Sequence, residues 1–388
     1  IMHLLILGYS HSYLADEGYY VPQALSIIHE RGPRVIEDNP SFLHHPCLAR
    51  LFIAGGIAVF GDNPWGWRIP SVIFGIAGVV LFYFICRKVA GKRTAVAGSF
   101  LLVFENLTFA YSGVAMLDVF ALTFMLASFL FFLDKRYLLS GTALALAGLC
   151  KITGLLVVLV ILGYWYLERK RSEPRKIGLL LVSSSVVFIA LMPLVDFAAT
   201  AQWLDPFERV YDMLINAQSI RYSDASPEMR AGTGMSRPWE WLLGLGFVWK
   251  GGDKPVSFSF TPMLFILIVP SVVYMGFEWF TNSKAKRMAV FGLLWFAATY
   301  LVWIPVALIT DRAMYNYYFL PTVIAVCLAV GFGIQRVWQM SVKAKEKHTR
   351  WLLKGGVITY LVLYVLSFLA FSTFMRALND LTSGGASA

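Results

Sequence analysis

The sequence predicts an all-α polytopic membrane protein, and three observations carry that prediction. Of its 388 residues, 58% are hydrophobic and 14% charged, against about 25% charged in a soluble domain, and the mean hydropathy is +0.65. Apolar runs approaching the roughly 20 residues that cross a bilayer recur along most of the chain. Short basic clusters separate them. Spans are expected near 68–87, 94–108, 117–133, 137–150, 152–167, 177–200, 259–281, 288–309, 318–336 and 354–374, several of them short. The opening IMHLLILG reads as the end of an eleventh. A basic n-region and a small-residue cleavage site are both missing there, so no cleavable signal peptide is expected.

Orientation follows from the basic clusters. With a cytoplasmic N-terminus, RKVAGKR (87–93), DKR (134–136), ERKRSEPRK (168–176), NSKAKR (282–287) and the stretch from Arg336 to Lys354 all fall on the cytoplasmic side. They hold 20 of the 33 Lys and Arg, the bias of the positive-inside rule. The net charge of +10 is then mainly topological. Its expected partner is membrane lipid of the cytoplasmic leaflet, not nucleic acid.

This topology divides the chain into residues 1–200, which include an external loop at 9–67, a second external loop at 201–258, and C-terminal membrane helices at 259–388. In the second loop, Phe207, Val210, Tyr211, Leu214 and Ile215 recur at helical spacing, which predicts an amphipathic helix. Such a helix lies flat on the membrane or packs on the protein's own loops. The six histidines are scattered, and Cys47, Cys86, Cys150 and Cys327 form no close pair. Neither a zinc knuckle nor a disulfide framework is indicated.

The outer side carries the chemistry-bearing residues. Asp16 and Glu17 stand in DEGYY where the first span meets the exterior. HHPCLAR (44–50), GDNPWGWRIPS (61–71), AMLD (115–118) and CKITGLL (150–156) follow in order, then DPFERVYDML, SRPWEW and DRAMYNYYFLP. This ordered set resembles the protein O-mannosyltransferase family, membrane glycosyltransferases of the GT-C class that use polyprenyl-phosphate sugars. Where that family commonly has H-P-P-x-x-K, this chain has His45, Pro46, Cys47 and Arg50. Where the family has Y-H-Y before L-P, it has Tyr315, Asn316, Tyr317 and Tyr318. The soluble insert of eukaryotic relatives does not fit into 201–258, which favours an archaeal or bacterial type.

The resemblance implies a GT-C fold of about 11 transmembrane helices, with 1–200 as its catalytic module and amphipathic helices in the external loops. It implies a dolichyl- or polyprenyl-phosphate mannose donor, Ser/Thr-containing proteins as acceptors, and inversion at the sugar carbon. The expected setting is a prokaryotic plasma membrane, with the active site on the extracytoplasmic face. It makes Asp16 the base, with Glu17 positioning Asp16 or the acceptor.

Elementary chemistry agrees. A phosphate leaving group needs no general acid, while the acceptor hydroxyl must lose a proton, so one carboxylate suffices. Glycosidases instead need two carboxyl groups flanking the bond, which adjacent residues do not supply. Two solvated acids at a span end are the blander reading.

Leaving-phosphate stabilisation calls for cations in a partly desolvated place. The candidates are Arg50, Arg68, Lys151 and Arg312. Lys151 interrupts the apolar run LALAGLCKITGLLVVL, where a charge at the bilayer centre costs about 2.5–3.5 kcal/mol; snorkelling to headgroups is its alternative. Arg68 serves equally as an interfacial anchor beside its tryptophans.

Asp118 opens a span, where a carboxylate favours the helix dipole, or it orients a cation or the acceptor peptide. His45 fixes loop geometry ahead of Pro46; a metal site built on it lacks any H-x-x-x-H-type spacing, although a divalent cation remains compatible with the chemistry. Tyr317 belongs to an aromatic belt expected at the interface, with sugar or peptide contact as its second reading. Rival functions are transfer to a lipid or glycan acceptor, as in aminoarabinose transferases, secondary transport, and a noncatalytic partner subunit. Transport would call for midplane charges and paired repeats, and no repeat is evident.

Overall fold

The structure is a computed structural model that describes residues 2–30, 34–37, 40–168, 174–216, 221–244, 246–250, 253–282 and 284–382. Its principal helices are α1 (Glu17–His29), α2 (Leu48–Phe60), α3 (Pro64–Ala90), α4 (Lys92–Val103), α5 (Asn106–Ser112), α6 (Leu117–Leu133), α7 (Tyr137–Cys150), α8 (Val157–Glu168), α9 (Pro174–Thr200), α10 (Pro206–Asn216), α11 (Ile268–Thr281), α12 (Lys286–Phe296), α13 (Trp303–Thr310), α14 (Val323–Lys343), α15 (Lys347–Phe371) and α16 (Thr373–Thr382).

Every run expected to span is helical over most of its length. Six described helices are long and apolar enough to cross a membrane, or seven if the bent pair α4–α5 counts as one, and four further apolar helices are shorter. Length and composition therefore do not establish the expected count of about eleven. Residues 2–6 make one five-residue helix.

Local chemistry explains the departures. The run expected at 94–108 bends by 65° because Glu105 accepts from the amides of Leu107 and Thr108 and so starts a new helix. Asn63 caps α3 through the amides of Trp65 and Gly66, with Pro64 in the first turn, the arrangement that favours proline there. The run expected from 259 begins later. Residues 256–259 instead form β2 (Val256–Ser259), paired antiparallel with β1 (Gly246–Trp249). This hairpin is an addition to the all-α expectation: the Phe258 ring packs, tilted, against Tyr111 at 4.7 Å, and Asn106 binds Ser257 and Ser259.

The bundle packs through small residues, as helices in lipid do. A Cβ on Gly141 of α7 would lie 2.3 Å from the Leu180 carbonyl of α9. Ser128 and Ser140 exchange hydrogen bonds between α6 and α7. The basic clusters gather at one end: Lys88 pairs with Asp134, Lys176 lies over the Tyr137 ring, and Lys92, Arg93 and Lys343 border one cavity. The N-termini of α1 and α6, the break after α7 and the 3₁₀ turn Asn316–Thr322 lie at the other. In α10, Met213 is buried and Val210 packs beside it against Leu149 and Met192, while Phe207, Tyr211, Leu214 and Ile215 are exposed. The amphipathic helix thus docks one face on the protein and leaves its apolar stripe outward.

Candidate active site

Two of the four left-handed non-glycine residues among those described flank candidate site residues. Ala15, directly before Asp16, takes a left-handed conformation (φ 50°), and so does Asp311 before Arg312 (φ 53°). Such conformations are uncommon outside glycine and concentrate at functional sites. The turn at Ala15 delivers Asp16 to the start of α1, half-buried.

Lys151 ends α7 in extended conformation (φ −157°, ψ 129°), followed by the 3₁₀ turn Ile152–Leu156. The charge thus sits in a break between helices rather than on a lipid-facing surface. Its ammonium donates to both oxygens of Asp118, at 2.8 and 2.9 Å, and lies 4.5 Å over the Tyr317 ring and 5.1 Å over the Tyr318 ring.

These groups converge on Asp16. Burial pushes its carboxyl up to about 6; Lys151 pulls it down, Asp118 pushes it up, and a hydrogen bond from Tyr317 pulls it down. A carboxylate titrating there is suited to act as a base near neutral pH.

His45 is the second focus. Burial holds its imidazole neutral, well below the usual range, and Lys151, Arg50 and Arg312 all act on it in the same direction. Its Nδ1 is buried without a hydrogen-bond partner. Arg50 is fully buried in α2, with Nη1 donating to the Phe42 carbonyl at 2.7 Å. Its Nε and Nη2 are buried and unpartnered, donors in want of an anion. Arg312 donates to the Tyr318 hydroxyl at 3.1 Å and is half-buried. Three of the four expected cations therefore face one region, with Asp16, Asp118 and Tyr317.

Arg68 is placed differently from the expectation of a phosphate ligand, and Glu17 is the reason. Arg68 donates through Nε and Nη2 to the two carboxylate oxygens of Glu17 at 2.9 and 2.8 Å. Its remaining donors go to the carbonyls of Leu7, Ser10 and Ser12. A guanidinium has five N–H donors, and all five are used, so none is left for a phosphate. Glu17 also accepts from the amides of Leu14 and Ala115. The pair is a buried clasp joining the chain before Asp16 to α3 and to the approach of α6.

A second buried pair was not foreseen. Arg209 of α10 donates to Asp196 of α9 at 3.0 Å and to the carbonyls of Leu43 and His45. Asp196 interrupts the apolar run LMPLVDFAAT, the same signal that singles out Lys151. Arg209 carries no such mark, being one charge on the polar side of an amphipathic helix. Among the described residues, no group of three or more His, Cys, Asp or Glu is placed to hold a metal ion. A small cavity of about 20 Å³ opens beside Asp118, between Leu122, Leu156, Trp303 and Tyr318.

Residues 44–196, which include His45, Asp118 and Lys151, match the sequence family described as dolichyl-phosphate-mannose-protein mannosyltransferase. That match covers less than half of the chain, which over this segment is similar to the protein O-mannosyltransferase family. The chain is 26% identical to the polyprenol-phosphate-mannose–protein mannosyltransferase of Corynebacterium glutamicum, across 92% of this chain and 83% of that one. The enzyme of the same name from Mycolicibacterium smegmatis is 36% identical over 118 residues, 29% of this chain. That match spans about a fifth of the relative's own length. The Saccharomyces cerevisiae protein O-mannosyltransferase Pmt1–Pmt2 complex bound to the sugar donor has the same fold, with a TM-score of 0.70 at 12% identity over 92% of this chain and 86% of that one. The shared fold agrees with the all-helical membrane fold class expected from the motifs.

Proposed function

We propose that the protein transfers a mannosyl residue from a polyprenyl- or dolichyl-phosphate sugar to a Ser or Thr hydroxyl of a protein, at the extracytoplasmic face. The observation that carries the reading is the convergence of Lys151, Arg50 and Arg312 on one region beside a half-buried Asp16. The Asp16 carboxylate takes the proton of the acceptor hydroxyl. The oxygen attacks the anomeric carbon from the face opposite the phosphate, the new C–O bond forms, and the bond to the phosphate oxygen breaks with inversion. The lipid phosphate leaves as an anion without protonation.

Each remaining residue has a role in this scheme. The unpartnered donors of Arg50, with Lys151 and Arg312, receive the phosphate; fixed charges in a water-poor place need no reorganisation as the leaving group gains charge. Asp118 orients Lys151, and by repulsion it keeps Asp16 basic. Tyr317 holds the Asp16 carboxylate through its hydroxyl and lies beneath the Lys151 ammonium. His45, neutral and with a free ring nitrogen, sits where a donor hydroxyl would meet it. Glu17 and Arg68 position Asp16 without touching the reacting atoms.

The name of the Corynebacterium relative and the sugar donor in the yeast complex support the donor class. The test is incubation of purified protein with radiolabelled dolichyl-phosphate mannose and a Ser/Thr-rich peptide. Label in the peptide, released by β-elimination, is expected; label only in a lipid or glycan fraction would reject the protein acceptor.

A further inference from the structure

The end of the bundle that carries the basic clusters holds larger cavities than the candidate active site. The helix α15 buries no residue before Val357, and its first turns stand off from α14. Two cavities result, about 410 Å³ towards α11 and about 750 Å³ towards α4, and both are bordered by Ile334 and Val357. The first is an apolar trough with walls such as Leu267, Val337, Leu353 and Tyr360. Glycines leave it open: a Cβ on Gly333 would meet only a Tyr274 ring atom, at 3.9 Å, and one on Gly356 would meet nothing within 4 Å.

The second cavity is bordered by Lys92, Arg93 and Lys343 together with Gln335 and Gln339, and by no carboxylate. Of the other cations at this end, Lys88 pairs with Asp134 and Arg336 with Glu278, while Lys345, Lys347, Arg350 and Lys354 line a separate cavity that shares no residue with the apolar trough. Among the described residues, Lys92, Arg93 and Lys343 have no acidic partner. An apolar trough continuous with three uncompensated cations matches the two halves of an anionic phospholipid, acyl chain and phosphate headgroup. Basic pockets between membrane helices on the cytoplasmic side are the usual form of such sites.

We propose that this groove binds an anionic phospholipid of the leaflet on the basic side, with an acyl chain between α11, α14 and α15 and the headgroup phosphate on Lys92, Arg93 and Lys343. The site is separate from the transfer chemistry and does not depend on it.

Native mass spectrometry of the full chain in detergent, titrated with phosphatidylglycerol or phosphatidylcholine, tests the proposal. Wild type should retain phosphatidylglycerol in preference to phosphatidylcholine. The K92Q/R93Q/K343Q variant should lose that retention by on the order of tenfold or more, while K135Q/R136Q/K284Q, which removes three charges from the same face, should keep it. Gly356→Phe should abolish retention with every cation in place, and Gly333→Leu does the same if the phenylalanine variant does not fold. Equal binding of the two lipids, loss of retention in the control variant, or retention in both groove variants would overturn the proposal. So would a stable dimer that excludes lipid, since a second copy would then cover the groove.

Discussion

Removing the Glu17 carboxylate perturbs the candidate site without touching the proposed base. Glu17 and Arg68 are 0% and 1% exposed, and the carboxylate accepts four hydrogen bonds, two from Arg68 and one each from the amides of Leu14 and Ala115. Glu17→Ala strands a buried guanidinium and two buried amides at once. Breaking a buried pair from one side costs about 3–5 kcal/mol, and each orphaned amide adds on the order of 1–3 kcal/mol, less whatever entering water recovers. A loss of at least about 3 kcal/mol is therefore expected.

Unfolding can be followed by a thiol-reactive dye, because Cys47, Cys86, Cys150 and Cys327 are all free and buried. SDS titration should show the loss for Glu17→Ala and for Arg68→Ala. The double variant should lose far less than the sum, since removing both charges leaves no uncompensated ion. Two small, additive losses, each below about 1 kcal/mol, would refute the clasp.

Other expectations concern the Asp16 environment and the second pair. Transfer rate should rise with pH through about 6 and level off above it, as Asp16 loses its proton; a profile flat from pH 5 to 8 would contradict this. Lys151 lowers and Asp118 raises the Asp16 carboxyl, so Lys151→Met should move the midpoint up and Asp118→Asn should move it down. Because the folded value lies above the ordinary 3.8, the Asp16 contribution to stability is full below that value and is lost as pH rises through about 6. Asp16→Asn should accordingly stabilise the protein at pH 7.5 by about 1–2 kcal/mol, after discounting for partial exposure, and the gain should vanish at pH 4. Arg209→Met should raise the KM for the lipid donor more than it lowers kcat, with partial rescue by Arg209→Lys; an unchanged KM would detach this pair from the His45 loop.

Much of the site was legible because the membrane makes ionisable residues costly. Asp16, Asp118 and Lys151 stood out as charges at the edges of apolar runs, and the structure brings them together. Arg68 stood out for the same reason, yet its donors are spent on Glu17 and three carbonyls, which only a fold can reveal. The broken helix at Glu105 was hidden because its flanks are as apolar as an unbroken span; the cap lies in one side chain. The hairpin at 246–259 was hidden in the same way, since Val256 and Phe258 continue the hydrophobic pattern of the helix that follows. Arg209 lay beyond reach because its partners, Asp196 and the Leu43 and His45 carbonyls, come from two distant segments. Of the five residues grouped on one helix face, Phe207, Tyr211, Leu214 and Ile215 share the exposed side, but Val210 turns with Met213 to the buried side, which the grouping did not separate.

The most direct measurement of the central claim is single-turnover transfer by Asp16→Asn, paired with binding of the lipid-linked sugar to the same preparation. Donor affinity within a few-fold of wild type, with transfer reduced by about a thousandfold or more, within the range general-base catalysis commonly supplies, is the predicted result. Transfer at the wild-type rate would contradict the assignment of the base, whatever the donor affinity.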